Sequence, residues 1–132
     1  MRIHLKPGRG FLTVALSGPF NLYLANELTP RILDACARHN ASKLLVDARG
    51  VSGILTLAER FLYSENLARN YKGRRVVGTI KHIQFAYVAD PPILDPQRFG
   101  ERVATSRGLH LKAVPTMEDA YEWLGVKEPD AE

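Results

Sequence analysis

The run KLLVD, Lys43 to Asp47, constrains this chain more than any other stretch. Its apolar residues follow one another without a polar break, so they point to both sides of a sheet and need cover on both, the pattern of a central strand. Such a strand has to be built into an α/β layer structure, and the flanking sequence supplies one. Met1 to Leu5 and Phe11 to Ser17 read as two strands joined by KPGRG, where Pro7, Gly8 and Gly10 carry the turn chemistry. Leu12, Val14 and Leu16 alternate with Thr13, Ala15 and Ser17, as on a half-buried strand. Leu28, Ile32 and Cys36 recur every fourth residue and predict a helix from about Tyr23 to near His39. Pro30 marks either a kink after an irregular first turn that begins near Tyr23 or, with Thr29 as cap, the first position of the helix.

The alternation continues beyond Asp47. Leu57, Phe61, Ser64, Ala68 and Tyr71 form a helical stripe that Lys72-Gly73 should end. Val76 to Val88 is rich in β-branched and aromatic residues and contains a further inner strand, HIQFAYVAD. Asp95-Pro96 reads as a helix start, Gly108 as its stop, Leu109 to Val114 as the last strand, and Thr116 with Asp119 as the cap of a terminal helix, MEDAYEWL. The expected architecture is α/β: a mixed, largely parallel five-stranded sheet with an N-terminal β-hairpin and about four helices packed on it. Residues 1–125 should form one domain and residues 126–132 a polar tail.

The 132 residues, 45% hydrophobic and 24% charged, match a soluble globular protein. No apolar run approaches the ~20 residues needed to span a bilayer, and MRIHLKPGRG lacks the apolar segment of a signal peptide. The expectation is a cytoplasmic protein without membrane insertion. The single cysteine, Cys36, excludes an internal disulfide and reads as a small buried hydrophobe. A formal charge of +4 favours anionic partners only weakly; without a recognition motif it predicts no specific nucleic-acid binding.

Catalytic signatures are missing from the chain. Walker A, GxGxxG and G-x-S-x-G patterns do not occur, and the four histidines lack metal-ligand spacing with Cys36, although His82 and His110 sit where they can meet in space. Asp47 and Asp90 close successive strands; they fit either a metal-holding pair at the sheet rim or two residues bonding their own downstream backbone. The expectation is a protein with no catalytic residues, no metal and no cofactor.

The segment LVDARGVSGILTLAERF joins a strand, through Gly50, Ser52 and Gly53, to a helix with Thr56 near its start. That arrangement suits an anion-binding or phosphoacceptor site, and equally a plain α/β corner with Thr56 as helix cap. GPFNLYLANELTPRILDAC followed by KLLVDARGVSGILT resembles the STAS domain family, the anti-anti-sigma-factor-like regulators. FAYVAD, PQRFGERVATSRG, LHLKAV and EDAYEWL, with Ala120, Trp123 and Leu124, look like its sporulation factor IIAA branch. The resemblance covers about residues 11 to 125 and places the family's phosphorylatable serine on Thr56, with Leu55 where the family usually has Asp. It implies a non-enzymatic module that binds another protein, sometimes under phosphorylation control, here at a switch loop comprising Asp47, Ser52, Gly53 and Thr56, with some relatives proposed to bind lipids or nucleotides.

A second expectation is a carrier or sensor of a small amphipathic or anionic ligand between sheet and helices. It would lie around Phe61, Phe85, Tyr87 and Phe99, with Arg98 and Arg102 at the mouth of a cavity of about 300 Å³ or more. A homodimer is a further expectation, two-fold dimers being the commonest soluble oligomers.

Overall fold

Leu44, Leu45 and Val46 are all 0% exposed, so the central run is covered on both faces as its composition requires. The structure is a computed structural model that describes residues 1–127. In chain order the elements are β1 (Arg2–Pro7), β2 (Phe11–Pro19), α1 (Leu22–Arg38), β3 (Lys43–Ser52), α2 (Leu57–Val77), β4 (Gln84–Val88), α3 (Phe99–Ser106), β5 (His110–Val114) and α4 (Met117–Leu124). The sheet runs β1-β2-β3-β4-β5, with β1 antiparallel to β2 and every other pair parallel. The expected tail, residues 126–132, falls from residue 128 onward outside the described residues.

A sequential strand order with crossovers of one hand puts α1, α2 and α3 on the same side of the sheet. Leu44, Val46 and Phe85 accordingly pack with Leu33 of α1, Leu67 and Tyr71 of α2 and Ala104 of α3. The alternate residues Leu45, Ala86 and Val88 face the opposite way, against Ala120 and Leu124 of α4. Trp123 Nε1 donates to the Phe85 carbonyl at 3.0 Å, and the Gln84 side chain and Lys43 Nζ donate to the carbonyls of Trp123 and Leu124. Those three bonds fasten α4 to the strands it covers. No helix among the described residues is long and apolar enough to cross a membrane.

Several boundaries differ from the sequence expectation, each for a local reason. Helix α1 begins at Leu22 because the Asn21 side chain accepts from the Leu24 N–H at 3.0 Å. Pro30 therefore lies in the helix interior, and the Thr29 hydroxyl, instead of capping, donates to the Ala25 carbonyl. Helix α2 runs past Gly73 and stops at Gly78, whose φ of +77° reverses the chain while its N–H reaches the Arg75 carbonyl. Val76 and Val77 belong to this helix end, which shortens β4 to Gln84–Val88. Asp95 accepts from the N–H groups of Gln97 and Phe99, so it caps a turn; Arg98, at φ +53°, separates that turn from α3.

The largest difference lies in β3, which continues through the expected loop to Ser52. Between Ala15↔Asp47 and Ser17↔Gly50, β3 uses one residue more than β2, a bulge that bends its second half. Gly50 is required there: a Cβ at this position would stand 3.0 Å from both the Leu16 carbonyl oxygen and the Ser17 Cβ.

Candidate functional site

Beyond the bulge, the end of β3 is tied to the start of α1. The Phe20 N–H donates to the Ser52 carbonyl at 2.9 Å, and Gly53 lies against Phe20. The chain then turns into α2 at Thr56, whose hydroxyl accepts from the Glu59 N–H at 3.1 Å while Glu59 Oε1 accepts from the Thr56 N–H at 2.8 Å. This reciprocal capping box occupies two of the helix N-terminal donors. Ser52, Gly53 and Thr56 are all exposed. So are several large apolar side chains at the same end of the molecule: Tyr23 (72%), Ile54 (76%) and Leu57 (64%). The α2 stripe expected from Leu57 onward is buried only from Ser64, leaving Leu57 in solvent.

Asp47 stands within β3, opposite Ala15 and Val88, and not at the strand end. Its carboxylate accepts the Arg49 backbone N–H at 3.1 Å and receives the guanidinium on both oxygens at 2.9 Å. Burial raises the Asp47 pKa, but the Arg49 hydrogen bonds and charge outweigh it and hold the carboxyl below its ordinary value. The charge of Asp90 adds a smaller attraction on Arg49, whose ion pair is with Asp47. Among the described residues no group of three or more His, Cys, Asp or Glu is arranged to hold a metal ion. The Cys36 thiol is buried in α1, and burial pushes its pKa up to about 12.

A cavity of about 140 Å³ opens over the ends of β2, β3 and β4, bounded by α2, α3 and the loop after β4. Val51 and Leu55 from the approach to Thr56 form one wall, and Ala104 and Ala113 another. Tyr63 and Tyr87 line it with their hydroxyls 2.8 Å apart and their rings edge to face. Arg60 donates to the carbonyls of Pro92 and Ile93, both at 2.7 Å, and so clamps α2 to the loop that closes the cavity.

The cavity includes Tyr87 and Arg98 but neither Phe61 nor Arg102. Arg98 does not present a free charge, since its guanidinium donates to the carbonyls of Asp95 and Ala113. Arg102 is exposed, and Phe61 lies under the Arg107 guanidinium, 5.2 Å from its ring centre. Phe85 is core and Phe99 opens α3; neither lines the cavity, whose volume is below the 300 Å³ or so expected for the amphipathic or anionic ligand. His82 and His110 do meet, with ring centres 5.7 Å apart, and His110 packs edge to face on Trp123. Arg60 and Tyr63 escaped the sequence reading. Their spacing in α2 gives no sign of the carbonyls and the phenol that they meet from distant chain segments.

No family model and no curated protein matches this chain. Among solved structures, the crystal structure of an anti-sigma factor antagonist from Mycobacterium paratuberculosis aligns over 94% of this chain and 93% of that one. The TM-score is 0.60 at 20% sequence identity. The chain has the STAS fold. The NMR structure of the protein TM1081 is matched with a TM-score of 0.48 and 16% identity, over 93% of this chain and 88% of that chain. In its STAS fold the chain bears out the mixed five-stranded sheet and the hairpin start read from its sequence.

Proposed function

We propose that this chain is a non-enzymatic regulatory module that docks another protein through the end of the molecule carrying Thr56, with phosphorylation of Thr56 as the switch. The observation that carries the reading is the exposure of Ile54 and Leu57 on either side of the exposed residue Thr56, with Tyr23 exposed at the same end of the molecule. Large apolar side chains in solvent at one place mark an interaction surface. The likeness to a protein described as an anti-sigma factor antagonist supports a protein as the partner. A phosphate on Thr56 would add about −1.5 to −2 charges in the middle of this apolar surface, where a docked partner would have to desolvate them.

Photo-crosslinking in cells tests the reading. A crosslinking amino acid replaces Leu57 in one version and Arg9, in the hairpin turn at the other end of the strands, in a second. Docking at Thr56 predicts a discrete adduct from position 57 alone, abolished by Thr56→Asp and retained by Thr56→Ser. A mass of twice 14.7 kDa would identify a second copy of the chain as the partner. Equal adducts from both positions, or none from position 57, would refute the docking surface.

A further inference from the structure

We infer that the cavity between α2 and α3 is a binding site for a small neutral single-ring molecule bearing one hydroxyl, of the size of phenol, held at the Tyr63–Tyr87 pair. Size comes first. At about 140 Å³ the space compares with the cavity of about 150 Å³ that admits benzene in an engineered protein, and it is too small for a nucleotide or a lipid chain. The charge balance also favours a neutral occupant. Arg60, Arg98, Asp95 and Glu101 all border the cavity, two of each sign, and each is already engaged with backbone groups. Arg60 serves the Pro92 and Ile93 carbonyls, and Arg98 the Asp95 and Ala113 carbonyls. Asp95 accepts from Gln97 and Phe99, and Glu101 accepts the Ala113 N–H at 2.6 Å.

The polar groups that remain for an occupant are hydroxyls. In the Tyr63–Tyr87 pair one proton lies between the two oxygens, and the other O–H is left to donate elsewhere. Ser64, buried on the same helix, adds a further hydroxyl to the lining. Burial raises the pKa of both tyrosines, so neither brings a negative charge. A few convergent polar groups in an otherwise apolar concavity are the usual composition of a small-molecule site. Its wall at Val51 and Leu55 belongs to the segment that leads into Thr56, so an occupant would pack directly against that segment.

The test is a titration of the full chain with phenol and, separately, with benzene, followed by methyl and amide NMR shifts. Phenol is expected to shift Val51, Leu55, Ala104 and Ala113 in a saturable way. Tyr63→Phe should weaken phenol by about three- to tenfold, one hydrogen bond's worth, and leave benzene unchanged. Ala104→Leu should fill the space and abolish both titrations; Ala113→Leu, at a half-exposed position, is the second filling variant should the first not fold. The inference is overturned by the absence of saturable shifts, by shifts that persist in a folded cavity-filled variant, or by a Tyr63→Phe effect equal for phenol and benzene.

Discussion

The capping box at Thr56 permits a test in which charge and stability separate. Thr56→Ala removes the oxygen that accepts the Glu59 N–H at 3.1 Å. Loss of an N-cap of this type costs about 1 kcal/mol, within a range of roughly 0.5–2. For a chain of 132 residues that corresponds to a fall of about 3–5 °C in Tm. Thr56→Asp keeps a capping oxygen and places a negative charge at the positive end of α2, a gain of about 0.3–1 kcal/mol. The same charge lies near Glu59, whose Oε1 is 2.8 Å from the Thr56 nitrogen. Two such exposed carboxylates some 4 Å apart repel by about 1 kcal/mol in water-like surroundings. The two effects nearly cancel, so Thr56→Asp should lie within about 0.5 kcal/mol of the parent protein, and adding Glu59→Gln to it should relieve the repulsion. Urea unfolding followed by Trp123 fluorescence and by far-ultraviolet circular dichroism measures all three. A Thr56→Ala protein as stable as the parent, or a Thr56→Asp protein as weak as Thr56→Ala, would show that the capping geometry does not hold this helix end. When Thr56→Asp leaves stability untouched, a loss of partner binding in that variant reports charge alone.

Two further outcomes are expected. Arg60→Met keeps the side-chain stem but releases the Pro92 and Ile93 carbonyls; it should cost about 1–2 kcal/mol and speed amide exchange at Leu94 and Asp95, and unchanged exchange there would show that Arg60 is no clamp. Asp47 has a folded-state pKa below its ordinary value of 3.8, so its contribution is fully present above that value and is lost as the pH falls below it. The Tm gap between the parent and Asp47→Asn should therefore narrow in acid, and a gap constant from about pH 6 to pH 2 would refute the role given to Arg49.

Periodicity made the layer structure legible: Leu12, Val14 and Leu16 alternate and are buried, and the Leu28, Ile32 and Cys36 stripe faces the core. Thr56 and Thr116 were readable as caps because the capping chemistry is local, spanning three residues in each case. Helix and strand ends were harder. Gly73 and Gly78 look alike in a string of letters, and only the backbone distinguishes a helical glycine from one at φ +77°. The extension of β3 through Gly50 depends on Ser17 and Pro19 of another strand, so no local signal marks it. Of the candidate site, the Thr56 cap was legible, while the strand running through Ser52 and the cavity were not. Tyr63 and Tyr87 are 24 residues apart, and their meeting is a product of packing.

The strand order has a consequence for how the chain assembles. Each strand lies beside the one before it in sequence, so every pairing closes a loop no longer than one crossover, and the sheet can grow from its N-terminal hairpin as synthesis proceeds. The first three helices shield one face as they emerge, whereas Leu45, Ala86 and Val88 on the other face stay wet until α4 arrives. Those eight residues, the last helix among the described residues, close over the second face and end its exposure to aggregation.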